Sequence, residues 1–137
     1  MKALLLAVQA KLREISGPRD SDIFLSPDKD IIQESAQFPC IGIKDGKVDR
    51  AGLMGGVTEL KLPIEIYVYE KLIKDDHAIL SVLDLTQSVH GKLEDNLLGG
   101  YVKEVTASSE TPIELLYRKN GLILRKTIFY EYEREEA

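Results

Sequence analysis

The sequence predicts an α+β domain in which two helices pack on one face of a mostly antiparallel sheet. Three observations lead to this fold class. Residues 57–71 alternate between apolar and polar side chains, residues 2–15 and 76–98 carry apolar residues at helical spacing, and three further strand-like segments follow. Because strands come in runs rather than alternating strictly with helices, the pattern favours antiparallel pairing. The length of 137 residues predicts one domain spanning residues 1–137.

The alternating segment 57–71 predicts a half-buried β-strand about twice as long as the usual ~5–6 residues. We expect so long a strand to overrun a small sheet and to need another surface at its far end. Pro63 lacks a backbone donor, which favours an edge strand or a bulge at that point. One face is apolar, with Leu60, Leu62, Ile64, Ile66 and Val68, and the other carries Glu59, Lys61, Pro63, Glu65, Tyr67 and Tyr69.

Both helices are predicted from one apolar stripe each. The first covers residues 2–15 and stops at Gly17-Pro18. The second, about 76–98, is capped by Asp75 or Asp76 and ended by Gly99-Gly100. Gly91 inside it costs ~1 kcal/mol relative to Ala, which a close approach of the first helix would compensate. The stripe of the second helix is expected to consist of Ile79, Val82, Leu83, Thr86, Val89, Leu93 and Leu97.

The remaining segments are shorter. Strands are predicted at 23–25, 38–44, 101–107, 113–119 and 122–132, the last two joined by an Asn120-Gly121 hairpin turn. Four glycines within 45–56 predict a flexible loop between two strands. The charged tail from 133 onward is expected to fray. Residues 19–37 give no clear prediction.

Composition and charge argue against several classes of partner and location. The net charge of −5 argues against sequence-specific binding of nucleic acid, which usually needs clustered Lys and Arg. The single Cys40 excludes an internal disulfide and favours a reducing compartment. The apolar run at 3–8 is shorter than a signal peptide requires, and nothing approaches the ~20 apolar residues of a membrane-spanning helix. We therefore expect no membrane association.

No catalytic, cofactor-binding or metal-binding motif is recognisable, so the sequence predicts a protein that is not an enzyme. His77 and His90 are 13 residues apart on one helix, about 20 Å along its axis, too far to share a metal within one chain. Cys40 has neither a base nor a thiolate-stabilising neighbour in sequence and is expected to be a small buried residue.

Two groups of residues are candidates for an interface with another protein. Leu53 and Met54 form an apolar pair inside the glycine-rich loop, which either docks on a partner or folds back over its own core. Tyr67 and Tyr69 alternate outward with charged residues and suit an interface rim, although cross-strand pairs on a solvated face would use the same residues. The candidate interface comprises Leu53, Met54, Glu59, Lys61, Glu65, Tyr67 and Tyr69.

The order of segments resembles that of tail-terminator (tail-completion) proteins of long-tailed bacteriophages and prophages. The resemblance rests on the helix Leu4–Ile15, the segment Phe38-Pro39-Cys40-Ile41-Gly42-Ile43, the glycine-bearing loop and the strand Leu60–Tyr69. It continues through the helix Asp76–Leu98 and the closing strands to Tyr132, and so covers most of the chain.

The resemblance implies a homo-oligomer, a hexameric ring that caps the completed tail tube and stops further addition of tail tube protein. Such a ring is assembled in the host cytoplasm, belongs to the virion tail and offers a docking surface to a head-completion protein. An acidic chain fits the passage of DNA through such a ring. Two alternatives stay open, a head–tail connector (head-completion) subunit and a small non-enzymatic module that binds a peptide or ligand.

Overall fold

The computed structural model describes residues 1–119 and 121–136, and it confirms the predicted α+β class. Two α-helices accompany seven strands in one sheet, and the strands are antiparallel except for one parallel pair. Single-turn 3₁₀ helices lie at Asp20–Asp22 and Leu98–Gly100. The elements are α1 (Lys2–Leu12), β1 (Ile23–Leu25), β2 (Cys40–Asp45), β3 (Asp49–Gly52), β4 (Thr58–Lys71), α2 (Asp75–Leu93), β5 (Glu104–Glu110), β6 (Glu114–Arg118) and β7 (Gly121–Glu136).

Two long strands form the centre of the sheet. β4 has 14 residues and β7 has 16, and they pair from Thr58 opposite Glu136 to Lys71 opposite Ile123. The other side of β4 is shared by β2 and β3, and the other side of β7 by β6 and β5. β1 lies parallel to β2 at one edge. The long strand expected from residues 57–71 therefore exists, but it lies at the sheet's centre rather than at an edge.

The main core lies between the two helices and one face of the sheet. The apolar face of β4 is buried there as predicted, and both helices contribute to the same core. Fully or almost fully buried members include Leu4, Val8, Leu12, Leu62, Ile64, Ile66, Val82, Val89 and Ile128. Burial of each such side chain contributes ~1.5–3 kcal/mol to folding, so this face supplies most of the hydrophobic stabilisation.

The opposite face is covered near β2 by the segment 26–39, most of which has no clear prediction from the sequence, while the strand expected from residue 38 begins at Cys40. Tyr67 and Tyr69, expected on an exposed interface rim, are instead 1% and 0% exposed, so that prediction is wrong. They form a second, smaller core with Phe24, Cys40 and Ile123, against which Ile32, Ala36 and Phe38 pack. The physical reason is that a returning loop supplies apolar side chains to the face on which the tyrosines lie.

Polar contacts fix this covering segment to the sheet. The hydroxyl of Tyr69 donates to the carbonyl oxygen of Lys29 at 2.6 Å, and the guanidinium of Arg125 donates to the same oxygen at 3.1 Å. Arg125 also forms an ion pair with Asp30 at 2.7 Å and contacts Glu114 at 3.4 Å. Burial acts to lower the pKa of Arg125, but the hydrogen bonds to the two carboxylates outweigh it and raise the pKa.

The glycine-rich segment 45–56 is more ordered than predicted, because it contains β3. β3 pairs with β4 from Asp49 opposite Lys61 to Gly52 opposite Thr58. Pro63 lies where β2 ends and β3 has yet to begin, and its carbonyl accepts from the amide of Gly46 at 2.8 Å. Since the nitrogen of Pro63 faces this interruption, its missing donor breaks no ladder bond, and β4 pairs with β7 through Pro63 without a register shift.

The C-terminal prediction also requires correction. Residues 133–136 do not fray but continue β7 and pair with Thr58–Lys61. Charged residues can occupy this end of β7 because the sheet face that lies away from the helices is solvated there, so the strand does not need alternating apolar residues. Ala137 and Asn120 fall outside the described residues, although β6 and β7 on either side of the predicted turn pair antiparallel.

α2 differs from the prediction in four ways. Its N-cap is Lys74 with no side-chain cap, while Asp75 and Asp76 occupy the first turn, where carboxylates favour the helix dipole. It ends at Leu93 rather than near 98. Gly91 faces open space, so no close approach of α1 explains it. The buried stripe is rotated from the expected one and consists of Ala78, Val82, Leu85, Thr86, Val89 and Leu93.

Candidate functional site

The turn between β3 and β4 presents an apolar tip at one end of the sheet. The amide of Leu53 donates to the carbonyl of Val57 at 2.7 Å, which closes the hairpin, and Gly55 and Gly56 adopt positive φ angles of 83° and 77°. Met54 is 98% exposed and Leu53 about half as much. The alternative in which this pair folds back over its own core therefore does not occur, and the tip projects into solvent.

Charged residues lie directly beside this tip. Glu59 and Lys61 are opposite Ala51 and Asp49 of β3, on the side of the sheet that faces away from the helices. Lys103 approaches Glu59 at 3.7 Å and Glu135 at 2.9 Å, and the Glu135 contact raises the pKa of Lys103. Lys61 is exposed. The predicted site residues Glu59 and Lys61 thus lie in the same β3–β4 hairpin as Leu53 and Met54.

The remaining predicted site residues do not join this surface. Glu65 lies farther along β4, where the buried hydroxyl of Tyr67 donates to its carboxylate. Burial, followed by this contact, raises the pKa of Tyr67, and burial likewise raises that of Tyr69. The tyrosines therefore pack inside the protein, and the candidate interface divides into an exposed part at the tip and a buried part near β2.

The sheet face around Glu59 is strongly acidic. Residues directly opposite each other share a face, which places Glu131, Glu133 and Glu135 of β7 beside Pro63, Lys61 and Glu59 of β4. Glu104 of β5 is opposite Glu133 and joins them. Lys61 and Lys103 offset part of this charge. The acidic half of the sheet thus begins immediately behind the apolar tip.

The outward side of α2 carries a second exposed apolar group, and two of its members, Ile79 and Leu83, were expected in the buried stripe. Ile79, Leu80 and Leu83 are all exposed, Leu80 to 59%. Their spacing places them on one side of the helix, away from the stripe that contacts the sheet. Asp76 lies one turn before Leu80 and Asp84 one turn after it, so acidic residues frame this apolar group.

His90 forms the most connected polar cluster of the helix side. One ring nitrogen faces the hydroxyl of Tyr130 and the other lies 2.8 Å from the carboxylate of Glu110. Lys126 approaches Glu110 at 3.4 Å. The contact from His90, assisted by Lys126, lowers the pKa of Glu110, while burial raises that of Tyr130. The cluster ties α2 to β7 and β5, a role that no spacing in the sequence indicates.

Other candidates for chemistry are separated from one another. Cys40 is buried, and burial raises the pKa of its thiol to about 12, so the thiolate needed for reactivity is suppressed. Exposed His77 lines a groove of about 470 Å³ together with Ser16, Leu80, Asp84 and Ser88. Within residues 1–119 and 121–136, no three His, Cys, Asp or Glu residues are grouped so that they could hold a metal ion.

No family model matches the sequence, and no curated protein matches it. Among the described residues, neither helix is both long and apolar enough to cross a membrane. The candidate functional site is therefore defined by geometry, as the apolar tip of Leu53 and Met54 and the outward side of α2.

Proposed function

We propose that this chain is a non-enzymatic structural subunit of phage tail assembly, which forms a ring that caps the tail tube and ends its polymerisation. The observation that carries the proposal is the exposed pair Leu53–Met54 at the end of a β4–β7 ladder that spans the whole sheet. A methionine that is 98% exposed is available to fill an irregular apolar pocket on a partner.

The surroundings of the tip support an assembly role. A turn closed by a backbone bond presents Leu53 and Met54 on a short hairpin, so less chain has to be ordered on binding than for a long free loop. The acidic face that begins at Glu59 suits a surface exposed to DNA, because like charges discourage adhesion. The resemblance of the segment order to that of tail-terminator proteins then suggests which partners the tip contacts, namely a neighbouring subunit and the tail tube protein.

The proposal is tested by adding the purified protein to tail tube protein during polymerisation. We expect tubes to stop growing, and electron microscopy to show a ring at the tube end. Unchanged tube growth without binding would contradict the proposal. Binding to filled heads instead of tubes would identify a head–tail connector subunit, the nearest alternative.

The groove beside α2 favours a second candidate, a small module that binds a peptide or ligand. Its volume of about 470 Å³ lies within the ~300–1,000 Å³ range of ligand pockets, and its lining combines Leu80 and Leu85 with polar Ser81, Asp84 and Ser88. A rise in melting temperature with a ligand, abolished by Ser88→Trp in the groove and retained by Met54→Ser at the tip, would support this reading. Retention of tube capping by the same Ser88 variant would separate the two functions.

A further inference from the structure

From the two exposed apolar groups of this fold, we infer that the hairpin tip of one copy docks on the outward side of α2 of a second copy. The contact joins Leu53 and Met54 to Ile79, Leu80 and Leu83. It is a heterologous contact, in which two different surfaces meet, and repetition of such a contact closes a ring when the rotation allows it. This inference rests on the proposed ring and specifies how its subunits meet.

One chain cannot make this contact within itself. The hydroxyl of Ser81 donates to Glu70 at 2.8 Å, which places the first half of α2 near the Glu70 end of β4. The tip adjoins Thr58 at the other end of that strand. At ~3.3 Å per residue, Thr58 and Glu70 are separated by roughly 40 Å along β4. Each subunit therefore carries both surfaces at opposite ends, and each surface is open to a neighbour.

Charge selects a second copy as the occupant. Lys47 and Arg50 lie just before the tip, with Val48 and Asp49 between them, and neither forms an ion pair with any residue in the described part of the chain. The acceptor surface carries Asp76 and Asp84 without such partners within 1–119 and 121–136, and Lys74 just before the helix offsets part of their charge. The hairpin from 47 to 61 carries Lys47, Arg50 and Lys61 against Asp49 and Glu59, a net charge of +1, although acidic residues of β7 lie behind it. A mildly basic hairpin thus meets an acidic frame around an apolar centre.

This arrangement resembles the anatomy of specific protein interfaces, in which an apolar centre is surrounded by a polar rim. Met54 supplies a flexible side chain to the centre, while Leu80 and Leu83 supply the opposing surface. Arg50 would reach Asp84 or Asp76 at the rim, where the pairs remain solvated and mainly fix orientation and association rate. Association is therefore expected to weaken as salt rises.

A cysteine cross-linking experiment tests the contact directly. The variant Met54→Cys/Leu80→Cys is oxidised mildly, both as the free protein at high concentration and after addition to tail tubes. A disulfide requires Cα atoms within ~4.4–6.8 Å, which the separation inside one chain forbids, so any bond formed links two copies. Native Cys40 is buried and does not interfere. We expect a ladder of covalent oligomers that ends in a closed species.

Two mixtures and one control distinguish the alternatives. Equal amounts of Met54→Cys and Leu80→Cys chains should give a single covalent heterodimer and no longer species. Pairing Met54→Cys with Tyr117→Cys, an exposed position on β6, should give no product. Homodimers of Met54→Cys alone would show a symmetric tip–tip contact and overturn the inference, as would the absence of any cross-link in both settings.

Charge reversal supplies an independent readout. Arg50→Glu should weaken self-association about tenfold or more, corresponding to ~1.4 kcal/mol, and combination with Asp84→Arg and Asp76→Arg should restore it. No restoration would count against this orientation. Tube capping by the unmodified protein is measured separately, so a failed cross-link with intact capping refutes only the contact. A ladder without capping refutes only the tail function.

Discussion

One shared acceptor contributes to holding the covering segment 26–39 on the sheet: the carbonyl oxygen of Lys29 accepts from Tyr69 and from Arg125. Removing one donor leaves the acceptor satisfied by the other. Tyr69→Phe should therefore lower the free energy of unfolding by only about 0.5–1.5 kcal/mol, the usual net value of one hydrogen bond.

Arg125→Met removes more contacts than Tyr69→Phe does, but solvation of the carboxylates that remain limits the loss of stability. Its ion-pair partners Asp30 and Glu114 are both substantially exposed, so water can solvate the carboxylates that remain. We expect a loss of about 1–3 kcal/mol, arising mainly from the bond to Lys29 and the packing of the buried arginine stem. In the double variant the carbonyl of Lys29 keeps neither donor. The combined loss should exceed the sum of the single losses by about 0.5–1 kcal/mol.

The assay is a double-mutant cycle from urea unfolding at 25 °C, followed by circular dichroism. Hydrogen exchange across 26–39 adds a local readout, because this segment should open before the β4–β7 ladder in the double variant. Tyr117→Phe is the matched control, since its ring is exposed and its loss should be near zero. Additive losses, or equal losses from Tyr117→Phe and Tyr69→Phe, would refute the shared-acceptor argument.

Three further predictions concern single residues. Gly91→Ala should stabilise α2 by about 0.5–1 kcal/mol, because the added methyl group enters open space. Gly42→Ala should destabilise the protein by about 1–3 kcal/mol, because its Cβ would lie 3.3 Å from the rings of Phe24 and Tyr67. Thermal melts in which the two variants have the reverse order of stability would contradict this packing. The Cys40 thiol should resist alkylation at pH 8 until the protein unfolds in urea, and rapid stoichiometric labelling of the native protein would exclude its burial. The hydrogen bond from Arg19, together with that from the amide of Gln37, lowers the pKa of Asp22 in the folded protein. The stability that this carboxylate contributes is therefore complete above the ordinary carboxyl pKa of about 3.9 and is lost as pH falls through the lower pKa of the folded state. Asp22→Asn should flatten the fall of melting temperature in this acid range, and an unchanged dependence of melting temperature on pH would contradict the prediction.

Periodic segments could be predicted from the sequence because each residue's neighbours in space follow from its own spacing. The five alternating residues Leu60–Val68 face the main core as expected. Tyr67 and Tyr69 have the same alternation on the other face, yet they are buried, because Phe24 and the segment 26–39 reach them from distant positions. Period two identifies two faces but does not tell which face a returning loop will cover.

The same limit applies to the candidate site. An apolar pair among glycines is a local signal that identifies Leu53 and Met54, and the hairpin presents them to solvent. The predicted stripe of α2 includes Ile79 and Leu83, which are exposed, because α2 contains more apolar residues than one stripe can hold and spacing alone does not select the stripe. The His90 cluster joins three elements and has no sequence signal at all.

The central position of β7 has a consequence for how the chain reaches this fold. Its ladder with β4 joins residues about fifty positions or more apart in sequence, and β5 and β6 depend on β7 for their pairing. Local contacts can form the β3–β4 hairpin and both helices early, while closure of the sheet must wait for a long-range encounter. Until that encounter, the inner edge of β4 is an open template for strands of other chains, so productive folding competes with aggregation at this edge.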